Sequence, residues 1–206
     1  MSAPGTAVDA ELRRLARRLD VDVAELQPLA GAPVEALRAL RLAASDDLDA
    51  RGEAGFRRVA ALARLLPGPI AAIVAERALG PELAARAAPL MDADTVGRLV
   101  PRMSTEFLTR AVLTMETRRI VHLLAAIPAD ALAEVSVELE RREAWMTIGD
   151  IAGHLEGTPL HVALASIRDE SVLATLPWIE DPATIDRITA AIAPDRTELQ
   201  AAIARR

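Results

Sequence analysis

The chain has 206 residues, of which 51% are apolar and 26% charged, and a formal net charge of −6. That length allows one domain, or two small ones, with a real core, while the acidic balance disfavours a general nucleic-acid binder, for which a basic footprint is expected. The absence of Cys excludes disulfides, thiol catalysis and cysteine-ligated metals.

No apolar run approaches the roughly 20 residues of a membrane span. The start MSAPGTAVDAELRR lacks the basic-then-apolar order of a signal peptide. The expectation is a cytoplasmic protein with no membrane insertion. Aromatic residues make up only 2%, namely Phe56, Phe107, Trp145 and Trp178, and Tyr and Lys are missing. A core of Leu, Ala, Ile, Val and Met suits close-packed helices and argues against a β-sandwich.

In chain order, residues 1–8 are small and polar and read as a flexible N-terminus. Asp9 is a plausible cap for a first helix bearing Leu12, Leu15, Ala16 and Leu19, and Asp22 for a short second one through Leu26 and Leu29. LARRLDVDVAEL resembles the first two helices of a helix-turn-helix, in which Leu15, Leu19, Val21 and Leu26 would be core. Asp20 stands there where such motifs usually carry Gly, and the acids Asp22 and Glu25 suit a phosphate-lined groove poorly. Pro33 opens a third helix through Leu37, Leu40 and Leu42, and the polar run 44–55 reads as a linker. Residues 9–55 thus form an N-terminal helical cap and linker. Helices over 56–66 and 69–79 follow, with a clean break at Pro67-Gly68-Pro69.

From Leu79 large apolar residues recur every 12 positions: Leu79, Met91, Met103, Met115, Ile127 and Leu139. Between them sit Val96-Leu99-Val100-Met103, Leu108-Ala111-Val112-Met115, Ile120-Leu123-Leu124-Ile127 and Leu132-Val135-Ser136-Leu139, each with the i, i+3, i+4, i+7 spacing of a helix face. An α-helix turns about 100° per residue, so 12 residues leave a stripe about 120° out of phase. The pattern therefore demands a break and reversal in every unit. Ser104, as a cap, and Pro128 and Glu106, in first turns, supply helix starts, while Pro101 ends the helix before it. After Leu139 the register slips, Thr147 with Asp150 reads as a capping-box variant, and Gly157-Thr158-Pro159 opens a further helix. Asp169 reads as the cap of a helix over 170–176, Asp181-Pro182 starts the next, and Pro194 the last. The expected fold is all-α: over 56–206, a right-handed superhelix (α-solenoid) of short antiparallel helices at about 12 residues per helical unit.

The units MDADTVGRLVPR (91–102), MSTEFLTRAVLT (103–114), METRRIVHLLAA (115–126) and IPADALAEVSVE (127–138) resemble the cytoplasmic N-terminal domain of the MgtE magnesium transporters. They are also similar to the repeats of the flagellar switch protein FliG. The resemblance covers about 65–206 and implies a right-handed superhelix of short hairpins. The transporters' CBS and membrane domains have no counterpart in this sequence, so no metal ligand carries over.

No catalytic arrangement stands out: there is no Gly-rich phosphate loop, no nucleophile elbow, and His122, His154 and His161 form no paired-His motif. The chain reads as a non-enzyme without a cofactor. Acid pairs such as Asp92/Asp94 and Glu138/Glu140 sit at helix termini, where they serve helix dipoles or, alternatively, a weak Mg²⁺ site. Trp145 and Trp178 flank charged runs and are candidate anchors for a partner, or else core fillers. The leading functional expectation is a protein–protein interaction or regulatory module that binds an unidentified protein, a homodimer included, on its superhelical surface. One alternative is a Mg²⁺-responsive regulator using acidic helix termini. Another is a transcription-related DNA binder through residues 9–42.

Overall fold

Fourteen α-helices and no strand make up residues 4–205, the part of the chain that the computed structural model describes. The chain divides between Glu53 and Ala54 into two compact units. Of the flexible terminus expected over 1–8, residues 1–3 lie outside the described residues, and Ala7 already begins the first helix.

The N-terminal unit holds α1 (Ala7–Leu19), a 3-10 helix (Val23–Leu29) and α2 (Val34–Ala50). The cap of α1 is Thr6, which accepts from the Asp9 backbone N–H at 3.1 Å; Asp9 itself sits in the first turn and pairs with Arg13 at 3.0 Å. This corrects the expected cap, because the helix begins two residues before Asp9. Asp22 does cap the next segment, through a capping box with Glu25. Asp20 takes the left-handed conformation that Asp tolerates better than most residues. Of the four core residues expected from a helix-turn-helix only Leu15 is buried, while Leu19 and Val21 are exposed and the 3-10 helix buries nothing. α1 packs on α2 through Leu12, Leu15 and Leu37, and also through a buried carboxylate. Glu11 accepts from Arg14 at 3.3 Å and from Arg41 at 2.9 Å, all three side chains being buried. The linker expected over 44–55 is mostly helical: α2 runs through Ala50, and Ser45 lies fully buried in it.

The C-terminal unit runs through α3 (Glu53–Leu65), α4 (Gly68–Val74), a π-helical turn (Ala75–Leu79), α5 (Gly80–Ala87), α6 (Ala93–Leu99), α7 (Thr105–Thr114) and α8 (Val121–Leu124). It continues through α9 (Ala129–Arg141), α10 (Trp145–Ala152), α11 (Gly157–Ala165), α12 (Asp169–Thr175), α13 (Pro182–Ala191) and α14 (Thr197–Ala204). The residues preceding successive segments, Asp92, Ser104, Glu116 and Pro128, stand 12 apart. Asp92 and Ser104 cap with their side chains, onto the backbone N–H groups of Thr95 and Phe107. The start of α10 falls late because α9 is 13 residues long. Thr147 is buried inside α10 and is not its cap, since that helix begins at Trp145. Asp169 is the first residue of α12, not its cap, and α14 begins at Thr197, beyond Pro194.

Most of these helices pack on the next but one: α4 on α6 and α6 on α8; α5 on α7, α7 on α9, α9 on α11 and α11 on α13; α10 on α12 and α12 on α14, while α9 also packs on the adjacent α10. Polar contacts tie these pairs across 27 to 36 residues of chain. Glu76 accepts from the Ser104 backbone and hydroxyl at 2.6 and 2.8 Å, Arg110 pairs with Glu82 at 2.9 Å, and Arg142 with Glu106. Glu140 receives Arg168 and Ser171, and Asp169 receives Arg196. The main apolar core runs from Val96 to Ile203 and includes Val172 and Ile188, both fully buried. A second, smaller cluster holds Ala71, Ala72 and Leu99.

Candidate functional site

Where the two apolar clusters meet they do not merge. A partly enclosed cavity of about 250 Å³ separates them, and all of its 24 lining residues, between Val59 and Ile127, are apolar. Five of the six anchors of the 12-residue column line it: Leu79, Met91, Met103, Met115 and Ile127. Val96, Val100, Ile120 and Leu123 contribute from the main core, Ala71 and Leu99 from the small one, and Met91 packs against both. The column that marks the repeat in sequence is therefore one wall of a void.

Local chemistry accounts for the opposite wall. Pro67 and Pro69 stop α3 and start α4. The chain then widens into the π-helical turn, whose Ala75 and Leu79 face the cavity, and breaks at Gly80, with φ at 76°, a conformation that glycine adopts without strain. Single π-turns inside α-helices occur frequently at functional sites. Alanines at 63, 71, 75, 84, 87, 88 and 111 put small side chains where larger ones would close the space.

The mouth is apolar as well. Leu62 and Val74 line the cavity and are also exposed, Leu62 to 58%. Leu65 follows one turn along α3 at 80% exposure, and Ile70 and Ile73 lie on the same face of α4 as Val74, half exposed each. Interior and mouth thus form one apolar surface continuing from α3 and α4 into the protein. Contiguous exposed patches of this kind mark partner, membrane or ligand sites.

The lining carries no acid, base or hydroxyl nucleophile. Trp178 is 0% exposed, seated at the 3-10 turn Leu176–Trp178 against Gly149 of α10. It offers no side-chain surface to a partner, which corrects the expectation of an anchor there; the flanking Glu180 and Asp181 surround a residue that points inward. Trp145, the first residue of α10, is half-buried. The two tryptophans do not converge on the cavity.

The acidic helix termini are engaged by arginines and backbone N–H groups. Asp92 caps α6 and pairs with Arg64 at 3.0 Å, and its carboxyl is lowered below the usual range first by the Thr95 backbone N–H. Glu138 is held down to about 2 by Arg141 and Arg142. Burial pushes Glu140 up, but the hydrogen bonds from Ser171 and from the backbone and side chain of Arg168 outweigh it and leave it lowered. His122 and His161 bond the backbone carbonyls of Met91, at 3.3 Å, and Ala191, at 2.9 Å. Among the described residues no group of three or more His, Asp or Glu is placed to hold a metal ion. No helix among them is long and apolar enough to cross a membrane.

Comparison with known protein families, with curated proteins and with solved structures finds no match.

Proposed function

We propose that the chain is a non-enzymatic interaction module: a right-handed superhelix of short hairpins over residues 56–206 that receives a protein partner on the face of α3 and α4. The observation that carries this reading is the exposed apolar strip of Leu62, Leu65, Ile70, Ile73 and Val74. The alternate-helix packing and the 12-residue spacing of helix starts support the superhelix. So does the resemblance of residues 91–138 to the MgtE N-terminal domain and FliG repeats. A lining without titratable or nucleophilic groups supports binding over catalysis. The partner presents an apolar segment, because the strip on α3 and α4 offers aliphatic surface as its main contact.

The test places a photo-crosslinking amino acid at Leu65 or, as a control, at Val137, an exposed apolar position on α9. Irradiation in the native cell is expected to yield one product from Leu65 that disappears with Ile73→Arg and is absent from Val137. A product at twice the chain mass identifies a second copy as the partner. The same set of products from both positions, or none from Leu65, contradicts the reading.

A further inference from the structure

We infer that the cavity behind Leu62 and Val74 is a binding site for a free medium-chain carboxylate, with the hydrocarbon tail inside and the charged end at the mouth near Arg58 and Arg77. The tail follows from the lining: nothing polar faces the interior, so only hydrocarbon enters without losing hydrogen bonds. Its length follows from the volume. An apolar cavity of about 150 Å³ holds a benzene molecule, so one of about 250 Å³ takes roughly ten carbons at the same packing. Met91, Met103 and Met115 on the wall are unbranched and adapt to a flexible chain better than branched side chains do.

The charge at the head follows from the mouth. Arg58 precedes the lining residue Leu62 by four residues on α3, and Arg77 stands in the π-helical turn between the lining residues Ala75 and Leu79; both are exposed. Residues 56–102 carry seven Arg against four acids, a local excess of three positive charges in a chain whose total is −6. A carboxylate at the mouth meets that local field favourably, and a cationic head does not. The acidic remainder of the chain opposes adsorption on an anionic lipid surface, so a free amphiphile is the occupant. The site shares Leu62 and Val74 with the partner face, but it is read on the purified chain with no partner present.

The test uses the full-length chain stripped of bound lipid, titrated calorimetrically with straight-chain carboxylates from hexanoate to tetradecanoate. Affinity is expected to tighten about fourfold per methylene, levelling off near ten carbons when the cavity is full. Ala111→Leu, which places bulk in the cavity, should raise the melting temperature without ligand and weaken decanoate binding by about tenfold or more. Ala63→Leu, on another wall, repeats the measurement if Ala111→Leu does not fold. Arg58→Glu with Arg77→Glu should weaken decanoate several-fold and leave decanol unchanged. Saturable binding absent for every chain length, or equal in wild type and both filled variants, overturns the inference. Binding to phosphatidylglycerol vesicles without binding of decanoate also overturns it, in favour of a membrane surface.

Discussion

Trp178 and Gly149 form one packing unit. A Cβ at position 149 would come within 2.9 Å of the Trp178 Cβ and 3.2 Å of the Thr175 carbonyl, so the glycine is what lets α10 approach the turn at Leu176–Trp178. Trp178→Ala is expected to destabilise by about 3–5 kcal/mol and Gly149→Ala by about 1–3 kcal/mol, both read from urea unfolding. A Trp178→Ala protein of unchanged stability would contradict the core assignment. Sequence alone left Trp178 between core and anchor because its neighbours Glu180 and Asp181 are charged. Its burial depends on α10, nearly 30 residues earlier, where the signal is a glycine inside an otherwise good helix.

At the scale of the element, helices of 7 to 13 residues are too short to stand alone and rely on caps and on neighbours two helices away. Ser104 shows both: its hydroxyl oxygen accepts from the Phe107 backbone N–H at 3.3 Å and donates to Glu76 at 2.8 Å. Ser104→Ala should cost about 0.5–2 kcal/mol, and Ser104→Thr should recover most of it. The paired carboxylates give the fold an acid limit. Asp92, Glu138 and Glu140 all have lowered folded-state values, Glu138 down to about 2, so their contribution is complete above the ordinary carboxylate range and is lost as pH falls through those lowered values. Melting temperature should therefore hold from pH 8 to about 5.5 and fall between about 4.5 and 2.5. Glu140→Gln should lower the neutral value and flatten that fall; an acid limb unchanged in this variant would contradict the role of Glu140. Helix starts were legible in sequence wherever a Ser, Asp or Pro marks them, as at Asp92, Ser104 and Pro128. Composition marks 44–55 as a linker, and the boundary between the two units falls inside it, between Glu53 and Ala54; most of it is nonetheless helix, because Ser45 is buried and Asp49 meets Arg18 at 2.5 Å, both through long-range contacts.

For the whole molecule, the 12-residue apolar column marks one face of successive helices, and at Leu139 it is core. From Leu79 to Ile127 the same column lines a void. Sequence periodicity reports which face of each helix points inward, but not whether the inward faces meet. That depends on how far small residues such as Ala71, Ala75, Ala87 and Ala111 let opposite walls fall short of each other, and no local pattern encodes it. The five methionines offer the most direct check. Met91, Met103 and Met115 line the cavity, while Met146 is buried in α10 away from it and Met1 is terminal. Xenon enters apolar cavities irrespective of their natural occupant, so methionine-methyl NMR of the full chain under xenon pressure reads the cavity itself. The account predicts that the Met91, Met103 and Met115 signals shift together and saturably while those of Met146 and Met1 stay in place. Uniform small shifts across all five, or a response centred on Met146, would contradict an open apolar site built from the repeat column.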